Sequence, residues 1–188
     1  GTTGEWNDPL FGISKKAWTL GDYFKLGPSV SIMLPMNDST KNEVSLLYNI
    51  GGALKLSLNT KTLGLDALSV AYQLGMSRNF TRFDTNAASG APNQAYRIRN
   101  RFDIGYNITD ALSFFSRLDF DSNYSVNSIL TNKFNHLQSF KYAINDTLST
   151  SIMHSNGGAY LKSETYENNL KIFDSEKSEY SVGLEISL

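Results

Sequence analysis

Histidine, serine and regularly spaced charges are the residues from which this chain could build chemistry. His154 stands beside Ser155, a base next to a nucleophile, but neighbouring residues of an extended chain point to opposite faces and cannot meet directly. A working nucleophile also needs a third group to orient its base, and none is spaced for that role. His154 is therefore expected near one rim of the fold, and His136, in a polar stretch, in solvent. No spacing suggests a metal cluster, a phosphate loop or an acid pair. The expectation is a chain with no cofactor and no catalytic residues. The second set is charged. Arg97, Arg99, Arg101 and Asp103, then Arg117 and Asp119, then Lys141 and Glu185, each fall on the polar phase of an alternating segment, as do Lys25 and Lys55. Charges at every second position of a strand share one face. They make either an ion-pair network closing an interior or, in a wider structure, an anion-attracting pore.

The elements that must position these groups are strands. Apolar residues recur with period two at Phe24, Leu26, Val30, Ile32 and Leu34, although Pro28 restricts this segment to an edge or an irregularity. The same period runs through Val44 to Leu58, Leu68 to Met76, Tyr96 to Ile108, Leu112 to Phe120, Phe140 to Ile144, Leu148 to Ile152, and Tyr180 to Leu188. Turn-forming composition separates these runs, with longer loops expected at Asp84 to Asn93, Asp121 to Asn135 and Ser155 to Lys177. That counts about eight strands in residues 23–188, preceded by an arm over residues 1–22. Several runs exceed the 5 or 6 residues usual in soluble strands, and about 9 to 11 suffice for a tilted strand to cross a bilayer.

The register of the fourth run decides sidedness. An arginine facing lipid at mid-bilayer costs about 2 to 4 kcal/mol, so Arg97, Arg99 and Arg101 are expected to face inward and Ile98, Phe102 and Ile104 outward. The polar phase is rich in Gly, Ala and Ser, as a narrow interior requires, and the apolar phase carries the bulky residues, the reverse of a soluble ligand-binding barrel. Aromatic residues fall into two groups, Phe24, Tyr106 and Phe114 at one end and Phe80, Tyr96, Phe120 and Tyr180 at the other.

Composition removes several function classes. Seventeen Lys+Arg against eighteen Asp+Glu leave no field to attract nucleic acid. Cysteine is absent, so there are no disulfides or thiolate metal sites. No apolar run approaches the roughly 18 residues of a membrane helix. The mean hydropathy of -0.29 does not bear on strands that are polar at every second residue. The first residues lack a basic segment followed by an apolar core, so a secretion signal is expected to have been removed or to lie outside this chain.

The last nine residues, Tyr180 to Leu188, alternate strictly to the end. Ser181, Gly183, Ile186 and Leu188, with Tyr180, Val182 and Leu184 continuing the apolar row, resemble the C-terminal assembly signal of bacterial outer-membrane β-barrels, although that family usually ends in Phe or Trp. The resemblance implies a transmembrane antiparallel up-and-down β-barrel of about eight strands in the outer membrane of a Gram-negative cell. Membrane lipids and the assembly machinery are its implied partners. The comparison with outer-membrane lipid A deacylases, which use a His and a Ser on the outer wall, is poor for the reason given for His154 and Ser155.

Gly52, Asn100, Ser116 and Thr150 are small or polar residues on the apolar phase. Asn100 at mid-strand would be a costly unpaired amide in lipid, so these positions are expected to mark contacts between copies. Small barrels of predatory bacteria that form rings enclosing lipid are similar in this respect. The expected function is a structural or surface-interaction barrel with a filled, charged lumen that associates with itself. The alternatives are a porin-like pore for small solutes and an outer-membrane lipid-modifying enzyme.

Overall fold

The computed structural model describes residues 7–161, 169–174 and 177–186. They form one antiparallel sheet of ten strands: β1 (Leu10–Ser14), β2 (Trp18–Leu20), β3 (Phe24–Met33), β4 (Leu46–Leu58), β5 (Leu68–Thr81), β6 (Gln94–Asn107), β7 (Leu112–Ser125), β8 (Leu130–Ala143), β9 (Leu148–Gly158) and β10 (Glu179–Ile186). From β3 onward each strand pairs with the next, an uninterrupted meander. Long alternating runs joined by turns favour this topology, because consecutive antiparallel strands need only short connections.

Ten strands replace the expected eight, with differences at both ends of the sheet. The segment read as an N-terminal arm is paired: β1 lies against Ser29 to Met33 and β2 against Phe24 to Leu26, as two halves of one ribbon on the same edge of β3. Pro28 explains the break. Its carbonyl accepts the Lys15 N–H at 3.1 Å, so the side of β3 on which proline lacks a donor faces residues 15–17, where the edge ribbon is interrupted. The expected loop from Asp121 to Asn135 is mostly strand, since β7 continues to Ser125 and β8 begins at Leu130. The anticipated contrast of short and long connections is correspondingly weaker, because the connection at residues 126–129 is short.

The sheet does not close among the described residues: β10 pairs only with β9, and β1 and β2 only with β3. Eight successive antiparallel pairings separate β1 from β10, so these two edges run parallel to one another. An eight-stranded antiparallel closure would need β10 against β3, and β1 and β2 occupy that edge.

Register places unlike chemistry on the two faces. The polar face sets Ser29 against Ala53, Ala53 against Gly75, Gly75 against Arg99 and Arg99 against Asp121. The other carries the bulk, with Leu54 against Leu74, Tyr72 against Phe102 and Phe114 against Phe140. Among the described residues only Leu46 and Phe134 are buried apolar side chains, while Val30 is 61% exposed, Ile104 47% and Val182 78%. A sheet that leaves its apolar face open in this way has no conventional core. Ring pairs tie that face laterally, Tyr48 with Phe80 at 4.5 Å and Phe114 with Phe140 at 5.0 Å. Arg78 lies over Phe80 and Tyr96 at 4.7 and 5.1 Å, at the level of the Tyr48–Phe80 pair.

Two connections have visible local causes. The turn at Thr60–Leu63 ends at Gly64, whose φ of 68° is a left-handed conformation that glycine adopts without steric cost. Asp8 Oδ1 accepts the N–H groups of Met36 and Asn37 at 2.7 and 2.8 Å, lashing the β3–β4 connection to the chain before β1. Burial raises the Asp8 pKa, but bonds from Asn37, Thr40 and Met36 outweigh it and hold the carboxyl below its ordinary 3.8. The contribution is therefore complete above pH 3.8 and is lost as pH falls through the depressed folded value. Amide exchange at Met36 and Asn37, corrected for its intrinsic pH dependence, should change little between about pH 7 and 5 and should accelerate once pH falls below 3.8. The Asp8→Ala variant should exchange quickly throughout.

Candidate functional site

The polar face gathers the expected charges into an ordered ladder. Directly opposed positions on β6 and β7 pair Arg99 with Asp121, Arg101 with Asp119 and Asp103 with Arg117, so each cross-strand pair joins opposite signs. The Arg101 guanidinium donates to Asp119 at 2.7 and 3.3 Å, and that of Arg117 to Asp103 at 2.8 and 3.3 Å. Such two-point contacts fix orientation as well as charge. Arg97 and Arg99 both fork onto Asp121, the former at 3.0 and 2.5 Å and the latter at 2.9 and 3.3 Å. Lys141 reaches across β9 to Glu185 at 2.5 Å. That span is possible because Ser149, Ser151 and Gly183 are the residues between them on the same face. Asp121 is the member that sequence reasoning missed; its place in β7 was assigned to a loop.

Beside the ladder the polar face of β3 to β5 is lined by Ser29, Ser31, Gly51, Ala53, Gly75 and Ser77, leaving an open recess of about 350 Å³ that Arg97 and Arg99 border. Two arginines sharing one aspartate leave a local excess of one positive charge at its edge.

Of the residues expected to meet a neighbouring copy, Gly52, Asn100, Ser116 and Thr150 all lie on the apolar face, but three have partners inside the chain. Asn100 Oδ1 accepts the Tyr72 hydroxyl at 2.6 Å, Thr150 donates to the Gly183 carbonyl at 3.1 Å, and Ser116 lies 3.3 Å from His136. The amide oxygen of Asn100 thus needs no second copy. Tyr180, Gly183 and Ile186 lie on β10, and Leu188 falls outside the described residues.

The histidines occupy unexpected positions. His136 is not solvated: it sits in β8 with 4% exposure, and His154 in β9 has 7%. Both lie on the apolar face, because His154 is opposite Gln138 and His136 opposite Asn156. What buries them is the chain after β9. Tyr160 hydrogen-bonds Asn132 at 2.9 Å, Lys171 O accepts from Asn156 at 2.6 Å, and Phe173 stacks on His154 at 5.0 Å. Ser155 points to the other face, opposite Leu137 and Glu179, so the neighbour of His154 is instead Ser178, whose Oγ lies 3.0 Å from its Nε2. Among the described residues no carboxylate is hydrogen-bonded to either ring, and the nucleophile-and-base sets lack an orienting acid.

No protein-family model matches the chain, and neither does any curated protein or solved structure. The resemblance to outer-membrane barrels therefore stands on the C-terminal pattern and on the physical character of the sheet.

Proposed function

We propose that the chain is a transmembrane β-barrel of a bacterial outer membrane, a structural or surface-interaction protein whose lumen is occupied by the ion-pair ladder. The observation that carries this reading is the contrast between faces: bulky apolar side chains open on one side, paired charges and small residues on the other. In lipid neither sheet edge can stay unpaired, so β10 and the β1–β2 ribbon must be satisfied by curling of the sheet or by another copy. The assembly machinery that reads a C-terminal strand is the implied partner. Self-association is supported by an apolar recess of about 700 Å³ over Gly52, lined by Val30, Ile50, Leu54, Leu74 and Met76. Refolded into lipid vesicles, the chain should float with them and migrate differently on gels with and without boiling. A monodisperse, folded protein in buffer without detergent would overturn the proposal.

A second reading, a small-solute pore, is favoured by the recess beside Arg97 and Arg99. Planar-bilayer recording separates the two: a filled lumen gives no steady conductance, whereas a pore bordered by excess positive charge conducts anions in preference to cations.

A further inference from the structure

The covered histidine pair has a pattern that packing alone does not require. The chain contains only two histidines, and the fold brings them to one face with ring centres 6.2 Å apart. In each, Nε2 is met by a serine hydroxyl, Ser116 for His136 and Ser178 for His154. In each, Nδ1 is buried with no hydrogen-bond partner. Ser178 Oγ is itself held by the Asp174 N–H at 3.3 Å, which leaves it a second lone pair for an imidazole N–H.

Among the described residues, the third buried side-chain polar atom without a partner belongs to the same patch. Asn156 is 2% exposed, lies directly opposite His136 and is two residues along β9 from His154. Its Nδ2 donates to the Lys171 carbonyl, which fixes the amide orientation and leaves Oδ1 unpaired. Directly opposed residues of an antiparallel pair have Cβ atoms about 5 Å apart and diagonal ones about 7 Å, so three side chains in this triangle can reach one point above the sheet. When both serines accept Nε2–H, each Nδ1 presents a lone pair. Two imidazole nitrogens and an amide oxygen then lie buried together with no donor to meet them, at a cost that one cation would remove.

We propose that His136 Nδ1, His154 Nδ1 and Asn156 Oδ1 form a binding site for a divalent transition-metal ion of the zinc and copper class. Imidazole suits these ions, and serines holding the far nitrogens supply the outer contacts that orient ligating rings. No group of three or more His, Cys, Asp or Glu gathers among the described residues, so the site depends on the amide as third ligand. Two imidazoles on one tetrahedral zinc, with Zn–N of about 2.0 to 2.1 Å, place their ring centres about 5 Å apart. A side-chain rotation closes the difference from 6.2 Å. The site ties β8 and β9 together beneath Phe173, and it stands independently of the membrane reading.

The test uses the full chain without a histidine tag, refolded in detergent micelles and titrated with zinc against a chromophoric chelator. One equivalent per chain should bind saturably. His136→Gln or His154→Gln should abolish that binding, and Ser178→Ala should weaken it by about tenfold. Absence of saturable binding, or binding unchanged in either histidine variant, overturns the proposal. Should the histidine variants fail to fold, the wild-type chain loaded with one equivalent of copper(II) decides by electron paramagnetic resonance. With only two histidines and no cysteine in the chain, splitting from two nitrogens supports the site, and splitting from one or none refutes it.

Discussion

Asp119→Ala should be the most damaging single change on the polar face, costing about 2 to 3 kcal/mol in urea unfolding of the refolded protein. Asp119 is the most buried member of the ladder, its side chain 7% exposed and that of Arg101 20%. Removing the carboxylate strands a guanidinium facing Gln73 on the other side, with no second acid directly opposite it. The figure sits below the 3 to 5 kcal/mol of a fully buried pair because Arg101 keeps some access to water. Replacing both partners, Arg101→Met with Asp119→Leu, should recover most of the loss, since no buried charge then remains unpaired. Glu185→Ala is the internal control. Glu185 and Lys141 are 61% and 46% exposed, and solvent screening leaves such a pair little to contribute to stability. Equal losses for Asp119→Ala and Glu185→Ala would mean that the ladder is not a protected interior.

Leu74→Arg should be comparably severe, but only in a bilayer. Leu74 lies at the middle of β5 on the apolar face, opposite Leu54 and Asn100, and is 42% exposed. If that face meets lipid, an arginine there costs about 2 to 4 kcal/mol, and folding into vesicles should fail or slow sharply. The polar-face comparison is Ser77→Glu. Ser77 is opposite Arg97, one of two arginines sharing Asp121, so an added carboxylate meets a charge that is only half balanced. Folding yield of Ser77→Glu should match the parent chain. Leu74→Arg folding as efficiently as Ser77→Glu would remove the reason to assign the apolar face to lipid.

The register of the central strands was legible because it repeats locally. Arg97, Arg99 and Arg101 occupy one phase and Ile98 and Phe102 the other, and a slip of one residue would exchange them. The ladder followed from that row, apart from Asp121. Its strand was hidden by polar residues in the apolar phase, Ser122 on β7 and Asn132 and His136 on β8, which break the alternation. Those residues are accommodated because the chain near Tyr160 and Phe173 returns across them, a contact between positions far apart in sequence that no local period records. The N-terminal strands escaped notice for a simpler reason. Five residues and three, split at the proline of their partner, are too few to display a period. The histidine patch was illegible on both counts, since His136 lay in the hidden strand and Asn156 and Phe173 in the stretch read as a long loop.

The central claim is that the two faces of one sheet meet two different solvents. Spin labels placed singly at 98, 102, 97 and 99 of the refolded protein in lipid vesicles test it most directly, through collision with oxygen, which concentrates in lipid, and with a water-soluble nickel chelate. Labels at 98 and 102 should be relaxed strongly by oxygen and weakly by nickel, and those at 97 and 99 should be shielded from oxygen. Strong oxygen collision at 97 and 99 with shielding at 98 and 102 would contradict the account.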